Sequence, residues 1–261
     1  SGTIRGGAGD DSFNISANAN QLNGEAGNDS FTLIGQSGSV TTLDGGVGNN
    51  NLTGRNAANT WQITSANGGN LALTNGATYV SAFNNIQNIF GGTAVDIFQI
   101  NAAIANVNGG DGNDEFRINA AAGNLYGNDD DDQFIFSSAD NAGSATLIDG
   151  GNGQNQIAGR NTTNTWSITA TNSGKVSVTG GPAYISSFNN IQTLIGGNLA
   201  DIFDINANVT NSINAGNGDN IFNIYTTVSD LLGGADNEQF AFGTNGRANS
   251  VNGGGGTNTL T

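Results

Sequence analysis

Apolar residues return at one fixed place in a short repeat along the chain. A glycine-rich turn is followed by an acidic residue or Asn, then by one further residue, and then by an apolar residue. This order occurs eleven times, and eight of the eleven apolar residues are Phe. Because one residue type recurs at one phase, we expect these side chains to stack from copy to copy. The apolar residues are Phe13, Phe31, Leu52, Phe98, Phe116, Phe134, Ile157, Phe203, Phe222, Phe240 and Leu260.

The residues that follow each apolar place alternate between apolar and polar. Examples are Phe13-Asn14-Ile15 and Phe116-Arg117-Ile118. This alternation predicts short, half-buried strands, and the preceding Gly, Asn and Asp residues favour tight turns with left-handed backbone. Strands and turns at a fixed period predict an all-β fold, a parallel β-solenoid. We expect it to be right-handed, as crossovers between parallel strands nearly always are.

The spacing of the turns predicts the number of coils. Most turns begin 18 to 23 residues after the one before, and two gaps of 46 are interpreted as two plain coils of 23 each. The sequence therefore predicts about 12 coils of 18–23 residues, with the glycine-rich turn on one side of the coil only. The turns begin at residues 6, 24, 45, 91, 109, 127, 150, 196, 215, 233 and 253.

A longer repeat of about 105 residues is superimposed on the coils. Residues 54–64, with the letters NTW, recur at 159–169, and the letters FNNIQ at 83–87 recur at 188–192. We expect one continuous solenoid over residues 1–261, with higher-order units at about 1–43 (partial), 44–148, 149–251 and 252–261 (partial). Neither end shows a polar cap, so we expect further repeats of the chain or copies stacked end to end.

Composition excludes several classes of function. With no His and no Cys, the chain lacks the residues of Ser–His and Cys–His catalysis and of the common zinc sites, and no catalytic residue is predicted. Gly (42) and Asn (44) make up a third of the 261 residues, which disfavours a helical fold. The net charge of −15 disfavours nucleic acid and anionic membranes as partners and favours cations. No transmembrane run is visible.

The best turns are Gly6-Gly7-Ala8-Gly9-Asp10-Asp11-Ser12-Phe13 and its counterpart at residues 109–116. They resemble the nonapeptide of the RTX (haemolysin-type calcium-binding) family. In that family the turn backbone and the Asp hold Ca²⁺ between stacked turns. The resemblance implies calcium on neighbouring coils, where Asp11 would pair with Asp29, and Asp96 with Asp114 and Asp132. Four of the eleven acid places are Asn, and the alternative is that these acids are solvated turn formers.

The chain as a whole resembles the repeats of very large bacterial surface proteins, of the adhesin or filamentous-haemagglutinin type. The resemblance implies a non-catalytic, extracellular structural or adhesive rod at the bacterial surface. Its expected partners are calcium, copies of itself or further repeats, and surface glycans. Two alternatives stay open: a non-catalytic calcium-binding module of a secreted polysaccharide-acting enzyme, and an ice-binding solenoid.

Two further residue types attract attention because they recur with the longer repeat. Trp61 and Trp166 alternate with Ile63 and Ile168, which favours core packing over a role in stacking on sugars. The Arg residues at 55 and 160 precede each Trp, and we expect them to pair with an acid or a carbonyl of the fold rather than with a ligand.

Overall fold

The computed structural model describes residues 2–136 and 142–261. Within them the chain is all β, with stacked parallel strands that make about 13 turns of a β-solenoid. The predicted fold class is therefore confirmed. The chain divides into two compact units, Ser1–Asp129 and Asp130–Thr261. In the described residues no helix could cross a membrane.

The first unit builds two sheets from alternate strands of the coil. Its strands are β1 (Thr3–Ala8), β2 (Ser12–Ile15), β3 (Ala19–Ala26), β4 (Ser30–Leu33), β5 (Val40–Asp44), β6 (Asn51–Thr53), β7 (Asn59–Ser65), β8 (Gly68–Leu73), β9 (Thr78–Asn84), β10 (Asn88–Gly92), β11 (Ile97–Ile100), β12 (Ile104–Gly110), β13 (Glu115–Ile118) and β14 (Ala121–Asn128). Sheet 1A has the order β1-β3-β5-β9-β8-β7-β11-β13, and sheet 1B has the order β2-β4-β6-β10-β12-β14.

The second unit repeats this plan. Its strands are β15 (Gln133–Ile135), β16 (Ser144–Asp149), β17 (Gln156–Ala158), β18 (Asn164–Ala170), β19 (Ser173–Val178), β20 (Ala183–Asn189), β21 (Thr193–Ile195), β22 (Ile202–Ile205), β23 (Ser212–Asn214), β24 (Ile221–Ile224), β25 (Thr227–Gly234), β26 (Gln239–Phe242), β27 (Arg247–Gly254) and β28 (Thr259–Leu260). Sheet 2A has the order β15-β17-β21-β23-β25-β27, and sheet 2B has the order β16-β20-β19-β18-β22-β24-β26-β28.

The core of each unit is a column of aromatic rings from the predicted Phe places. Parallel, in-register strands repeat at roughly 4.8 Å, so residues of the same phase lie directly above one another. Phe98 and Phe116 stack at 4.8 Å between ring centroids. In the second unit Phe203 lies 5.2 Å from Phe222, which lies 4.7 Å from Phe240. Each stacked pair adds about 0.5–1.5 kcal/mol beyond the burial of its area.

The two gaps of 46 residues do not hold two plain coils each, and that prediction is wrong. In the first unit β7, β8 and β9 form an antiparallel meander inside sheet 1A. The chain reverses at Asn67 and again at Asn75, which have φ of 52° and 58°. Trp61 packs in this meander with no exposed surface, and so does Trp166 in the matching meander of β18, β19 and β20, which confirms the predicted core role.

The meander moves the glycine-rich turn from one edge of the coil to the other. In the first unit, before the meander, these turns lead from sheet 1A to sheet 1B, as between β3 and β4. After it they lead from sheet 1B to sheet 1A, as between β12 and β13. Each coil thus has its glycine-rich turn on one side only, as expected, but the side changes at the meander, because three consecutive strands in one sheet shift the coil by half a turn.

Candidate functional site: the turn ladders

The acid place of each turn points inward and bonds to the turn of the neighbouring coil. The backbone N–H of Asp11 donates to Oδ1 of Asp29 (2.9 Å), and the N–H of Asp29 donates to Oδ1 of Asn50 (2.8 Å). After the meander, the N–H of Asp96 donates to Oδ1 of Asp114 (2.7 Å). We call this series of side-chain to backbone bonds the inner ladder. It turns a run of separate turns into one hydrogen-bonded column.

The second unit has the same inner ladder with a different mixture of residues. Asp and Asn both accept in it, because the ladder needs only one acceptor oxygen from each coil, whereas Glu238 takes part through its backbone N–H. The bonds run from the N–H of Asp132 to Asn155 (2.8 Å), of Asn164 to Asp201 (2.6 Å), of Asp201 to Asn220 (2.8 Å) and of Glu238 to Asn258 (2.8 Å).

The letters FNNIQ mark the place where an inner ladder ends. The N–H of Asn50 donates to Oε1 of Gln87 (2.8 Å), and the N–H of Asn155 donates to Oε1 of Gln192 (2.7 Å). Each Gln thus gives the last turn before the meander the acceptor that the next turn would otherwise supply. The sequence shows this motif as a repeat, but its role as a cap needs the three-dimensional register.

The letters NTW mark the place where the next ladder begins. The N–H of Asn59 donates to Oδ1 of Asp96 (2.6 Å), while its own Oδ1 accepts the hydroxyl of Tyr79 (2.6 Å). Arg55 lies 4.0 Å from the centroid of the Tyr79 ring and donates to the carbonyl of Gly38. The expected pairing of this Arg with a group of the fold is confirmed, and Arg160 likewise donates to the carbonyl of Gly143.

A second ladder, which the sequence analysis did not single out, runs on the outside of the turns. The N–H of Asn28 donates to Oδ1 of Asp10 (2.7 Å), and the N–H of Asn49 donates to Oδ1 of Asn28 (2.8 Å). We call it the outer ladder, and its bonds point in the direction opposite to those of the inner ladder. Each of these turns is therefore bonded to its neighbours in both directions.

Burial sets the electrostatics of the inner ladder. Asp29, Asp96, Asp132 and Asp201 have no exposed surface, so the alternative of solvated turn formers is wrong for them. Loss of water disfavours a carboxylate, and this effect raises the pKa of Asp96 to about 7 against the opposing bonds from Asn59. The same burial raises the pKa of Asp201 to about 6, against bonds from Gly197 and Asn164.

The second carboxylate oxygen, Oδ2, distinguishes an Asp from an Asn at the acid place of the turn. Oδ2 of Asp11, Asp29 and Asp96 is buried and has no hydrogen-bond partner in the described part of the chain. A Cβ on Gly24 would overlap Oδ2 of Asp29 and lie 2.6 Å from the carbonyl oxygen of Gly45. At the Asn turns Nδ2 donates to a carbonyl instead, as from Asn50 to Asn85 (3.0 Å). The unpaired Oδ2 therefore suits a hydrogen-bond donor or a cation.

These residues fit calcium in the kind of ligand they offer. Ca²⁺ takes six to eight oxygens, and here an unpaired carboxylate oxygen lies beside backbone carbonyls. Each Asp-bearing turn supplies one inward carboxylate, and the described residues contain no group of three acidic side chains placed to hold one metal ion, so carbonyls and water would complete the shell. The first unit brings together Asp11 with Asp29 and Asp96 with Asp114, whereas Asp132 lies in the second unit beside Asn155. Calcium at these five residues stays a prediction.

No family model matches the chain, and no curated protein matches it. The resemblances to RTX turns and to bacterial surface repeats therefore stay predictions.

Proposed function

We propose that this chain is a non-catalytic structural and adhesive module of an extracellular bacterial surface protein. The observation that supports it is the repetition of the inner ladder, in which the turns of neighbouring coils are joined by hydrogen bonds. The same backbone N–H bonds to the same side-chain place in coil after coil, as from Asp11 to Asp29 and on to Asn50. Side chains used in this way hold coil to coil, which is the task of a stalk or rod.

The higher-order repeat supports a place in a long repetitive protein. The two copies of the NTW and FNNIQ motifs fold into the same meander and end in the same cap, with Gln87 in one unit and Gln192 in the other. A higher-order repeat that folds in the same way each time is suited to a long protein made of many such repeats. Its partners are then further repeats or neighbouring copies. The acidic surface, with 21 acidic and 6 basic residues, disfavours nucleic acid.

Calcium is the proposed stabilising ion of the turns. Asp11, Asp29, Asp96, Asp114 and Asp132 would hold it together with carbonyls of their turns. The ion would neutralise buried carboxylates, and the cost of burying a charge would then be offset. Extracellular modules of this kind bind calcium at about 10⁻⁴–10⁻³ M, which matches the medium outside a cell.

The adhesive role is tested with beads that carry the whole chain. We expect beads with the folded chain to adhere to bacterial or host cells in millimolar calcium, and beads with the heat-unfolded chain not to adhere. The bathing solution is examined for newly released reducing ends or unsaturated sugars after incubation with cell-wall polysaccharides. The proposal expects none of these products.

Two results would overturn the proposal. Turnover of a polysaccharide would make the chain an enzyme rather than a rod. Equal adhesion by folded and unfolded chains would show that the solenoid surface has no adhesive role. Adhesion by the folded chain alone, without a product, supports the module as proposed.

A further inference from the structure

The outward face of sheet 1B carries no charge although the chain as a whole is strongly acidic. The strands β4, β6, β10, β12 and β14 are in register and present two outward rows. The amide row is Ser30, Asn51, Asn88, Asn106 and Asn124, and the aromatic row is Thr32, Thr53, Phe90, Asn108 and Tyr126. None of these ten residues is charged, in a chain with 6 basic and 21 acidic residues.

The amide row is held rigid by bonds between its own side chains. Nδ2 of Asn88 donates to Oδ1 of Asn51 (2.7 Å), Nδ2 of Asn106 to Asn88 (2.7 Å), and Nδ2 of Asn124 to Asn106 (2.9 Å). A carboxamide has two N–H groups and two acceptor lone pairs. The bonds along the row therefore leave Asn106 and Asn124 with capacity for the hydroxyl groups of a partner, in a fixed orientation.

The aromatic row beside it carries two aromatic rings, those of Phe90 and Tyr126. Phe90 is 36% exposed and is one of nine large apolar residues exposed in the described part of the chain, while Tyr126 is half-buried. Asn108 lies between them in the register, so the two rings are two coils apart. Two strand spacings amount to roughly 10 Å. Next to Phe90, Thr53 borders a cavity of about 420 Å³ that contains no charged residue in its lining.

We propose that this face binds an extended, uncharged β-1,4-linked glycan. The apolar faces of sugar rings pack on aromatic side chains, and the hydroxyl groups at the ring edges bond to amides. The distance between Phe90 and Tyr126 is close to the repeat of two sugar rings in an extended β-1,4-linked chain. The inference rests on the proposed adhesive role, for which it names the partner.

Charge decides between a neutral and an anionic glycan. An anionic polymer would meet a chain of net charge −15 without any basic residue on this face. A neutral polymer meets no charge repulsion on this chain, so charge disfavours an anionic glycan and leaves a neutral one. The face therefore selects an uncharged partner.

The matching face of the second unit provides an internal comparison. Sheet 2A has Ile195 at the place of Phe90 and Leu232 at the place of Tyr126, with Asn214 between them. The neighbouring row holds Asp230 where the first unit has Asn124. The backbone is the same, but the aromatic rings and the neutrality are missing. Variants at Ile195 therefore serve as matched controls.

The test measures binding of soluble oligosaccharides to the whole chain by titration calorimetry. The probes are cellohexaose, mannohexaose and N-acetylchitohexaose, with oligogalacturonate as the anionic control. We expect at least one neutral probe to bind and each of Phe90→Ala and Tyr126→Ala to weaken it about tenfold, as expected for loss of one stacking ring. Phe90→Tyr keeps a ring and should retain binding, and Ile195→Ala should leave the affinity unchanged. Thermal melts establish that each variant is folded.

Several outcomes would overturn this inference. They are no binding of any neutral probe, preference for oligogalacturonate, or equal affinity of the alanine variants and the wild-type chain. The bead assay separates this inference from the adhesive role. If beads with Phe90→Ala and Tyr126→Ala adhere as well as wild-type beads, the adhesive role stands and the glycan face does not. If calorimetry shows binding while wild-type beads fail to adhere, the glycan face stands and the adhesive role does not.

Discussion

The backbone N–H of Asp29 donates to Oδ1 of Asn50 in the next coil over 2.8 Å, and Asp29 in turn accepts the same bond from Asp11. Asp and Asn are therefore equal partners in the inner ladder. The two residue types differ only in the second terminal atom of the side chain, which is Nδ2 in Asn and Oδ2 in Asp. Nδ2 of Asn50 donates to the carbonyl of Asn85, whereas Oδ2 of Asp29 is buried without a hydrogen-bond partner.

Replacing the unpaired oxygen by an amide should stabilise the calcium-free protein. We expect Asp29→Asn to raise the free energy of unfolding in excess EGTA by about 1–3 kcal/mol, because the unpaired Oδ2 is replaced by an amide N–H that can donate to a turn carbonyl. In millimolar calcium the wild-type chain should melt at a higher temperature than in EGTA, and the variant should gain less. Urea unfolding measures the first effect and thermal melts measure the second, both followed by circular dichroism.

The outcomes of this experiment distinguish the contribution of calcium to stability from that of the inner ladder. If the wild-type melts coincide with and without calcium, the ion has no part in the fold and only the ladder remains. If Asp29→Asn is less stable than wild type in EGTA, the assignment of a missing donor at Oδ2 is wrong. Asp29→Ala serves as the control, and it should be destabilising in both buffers because it removes the acceptor of the Asp11 N–H.

The buried Asp201 predicts a decrease in stability with rising pH. Its pKa in the folded chain is raised from 3.8 to about 6, mainly by burial. The folded state therefore holds the proton more tightly than the unfolded state does. Its contribution is fully present below about pH 4 and is lost as the pH rises to about 6, with a slope of at most about 1.4 kcal/mol per pH unit.

Chemical unfolding in EGTA from pH 4 to pH 8, at constant ionic strength, measures this slope. We expect Asp201→Asn to reduce it, because the amide does not titrate and can still accept the N–H of Asn164. Asp230→Asn, on an exposed residue of the same unit, is the control and should leave the slope unchanged. A slope that is identical in wild type and Asp201→Asn would contradict the prediction.

The sequence is sufficient to predict the parts of the fold that repeat in phase. The Phe row locates the core column, and the acid places one coil apart do meet, as Asp96 meets Asp114. The meander could not be predicted, because Trp61, Leu71 and Phe83 are spaced like the apolar residues of a coil. Only the pairing of β8 shows that the chain reverses there.

The direction of the turn side chains also lay beyond the sequence. An Asp in a glycine-rich turn is usually exposed, so nothing in the letters distinguishes the inward Asp29 from a solvated acid. The outer ladder looks like ordinary turn composition, since Asp10, Asn28 and Asn49 are typical turn residues. Their bonds depend on the offset between successive backbones, which the three-dimensional register alone determines.

The fourth residue of the turn should be sensitive to any side chain. Gly27 has φ of 141°, and a Cβ there would overlap the carbonyl oxygen of Gly9 in the preceding coil. We expect Gly27→Ala to lower the free energy of unfolding by about 2–4 kcal/mol, from backbone strain and from the steric overlap together. Gly181→Ala, where the nearest atoms are at 3.4 Å, is the control and should change stability little. Equal effects of the two substitutions would show that the turns are not closely packed.

The aromatic column of the second unit predicts a large effect for a single truncation. Phe222 has no exposed surface and stacks between Phe203 and Phe240 at 5.2 and 4.7 Å. Phe222→Ala should lower the free energy of unfolding by about 3–5 kcal/mol, because the in-register strands on both sides cannot close the cavity. Tyr225→Ala, on a side chain that is 52% exposed, is the control and should have little effect.

The reason for this expectation is the narrowness of the core. Each coil contributes one ring to the column, so the neighbours of Phe222 lose a stacking partner on one side and have no second layer to replace it. Since a coil contacts mainly the coils next to it, the loss should also lower the cooperativity of unfolding, seen as a smaller dependence on urea concentration. A loss of stability no larger than that of Tyr225→Ala would show that the hydrogen-bonded ladders, and not the rings, hold the coils together.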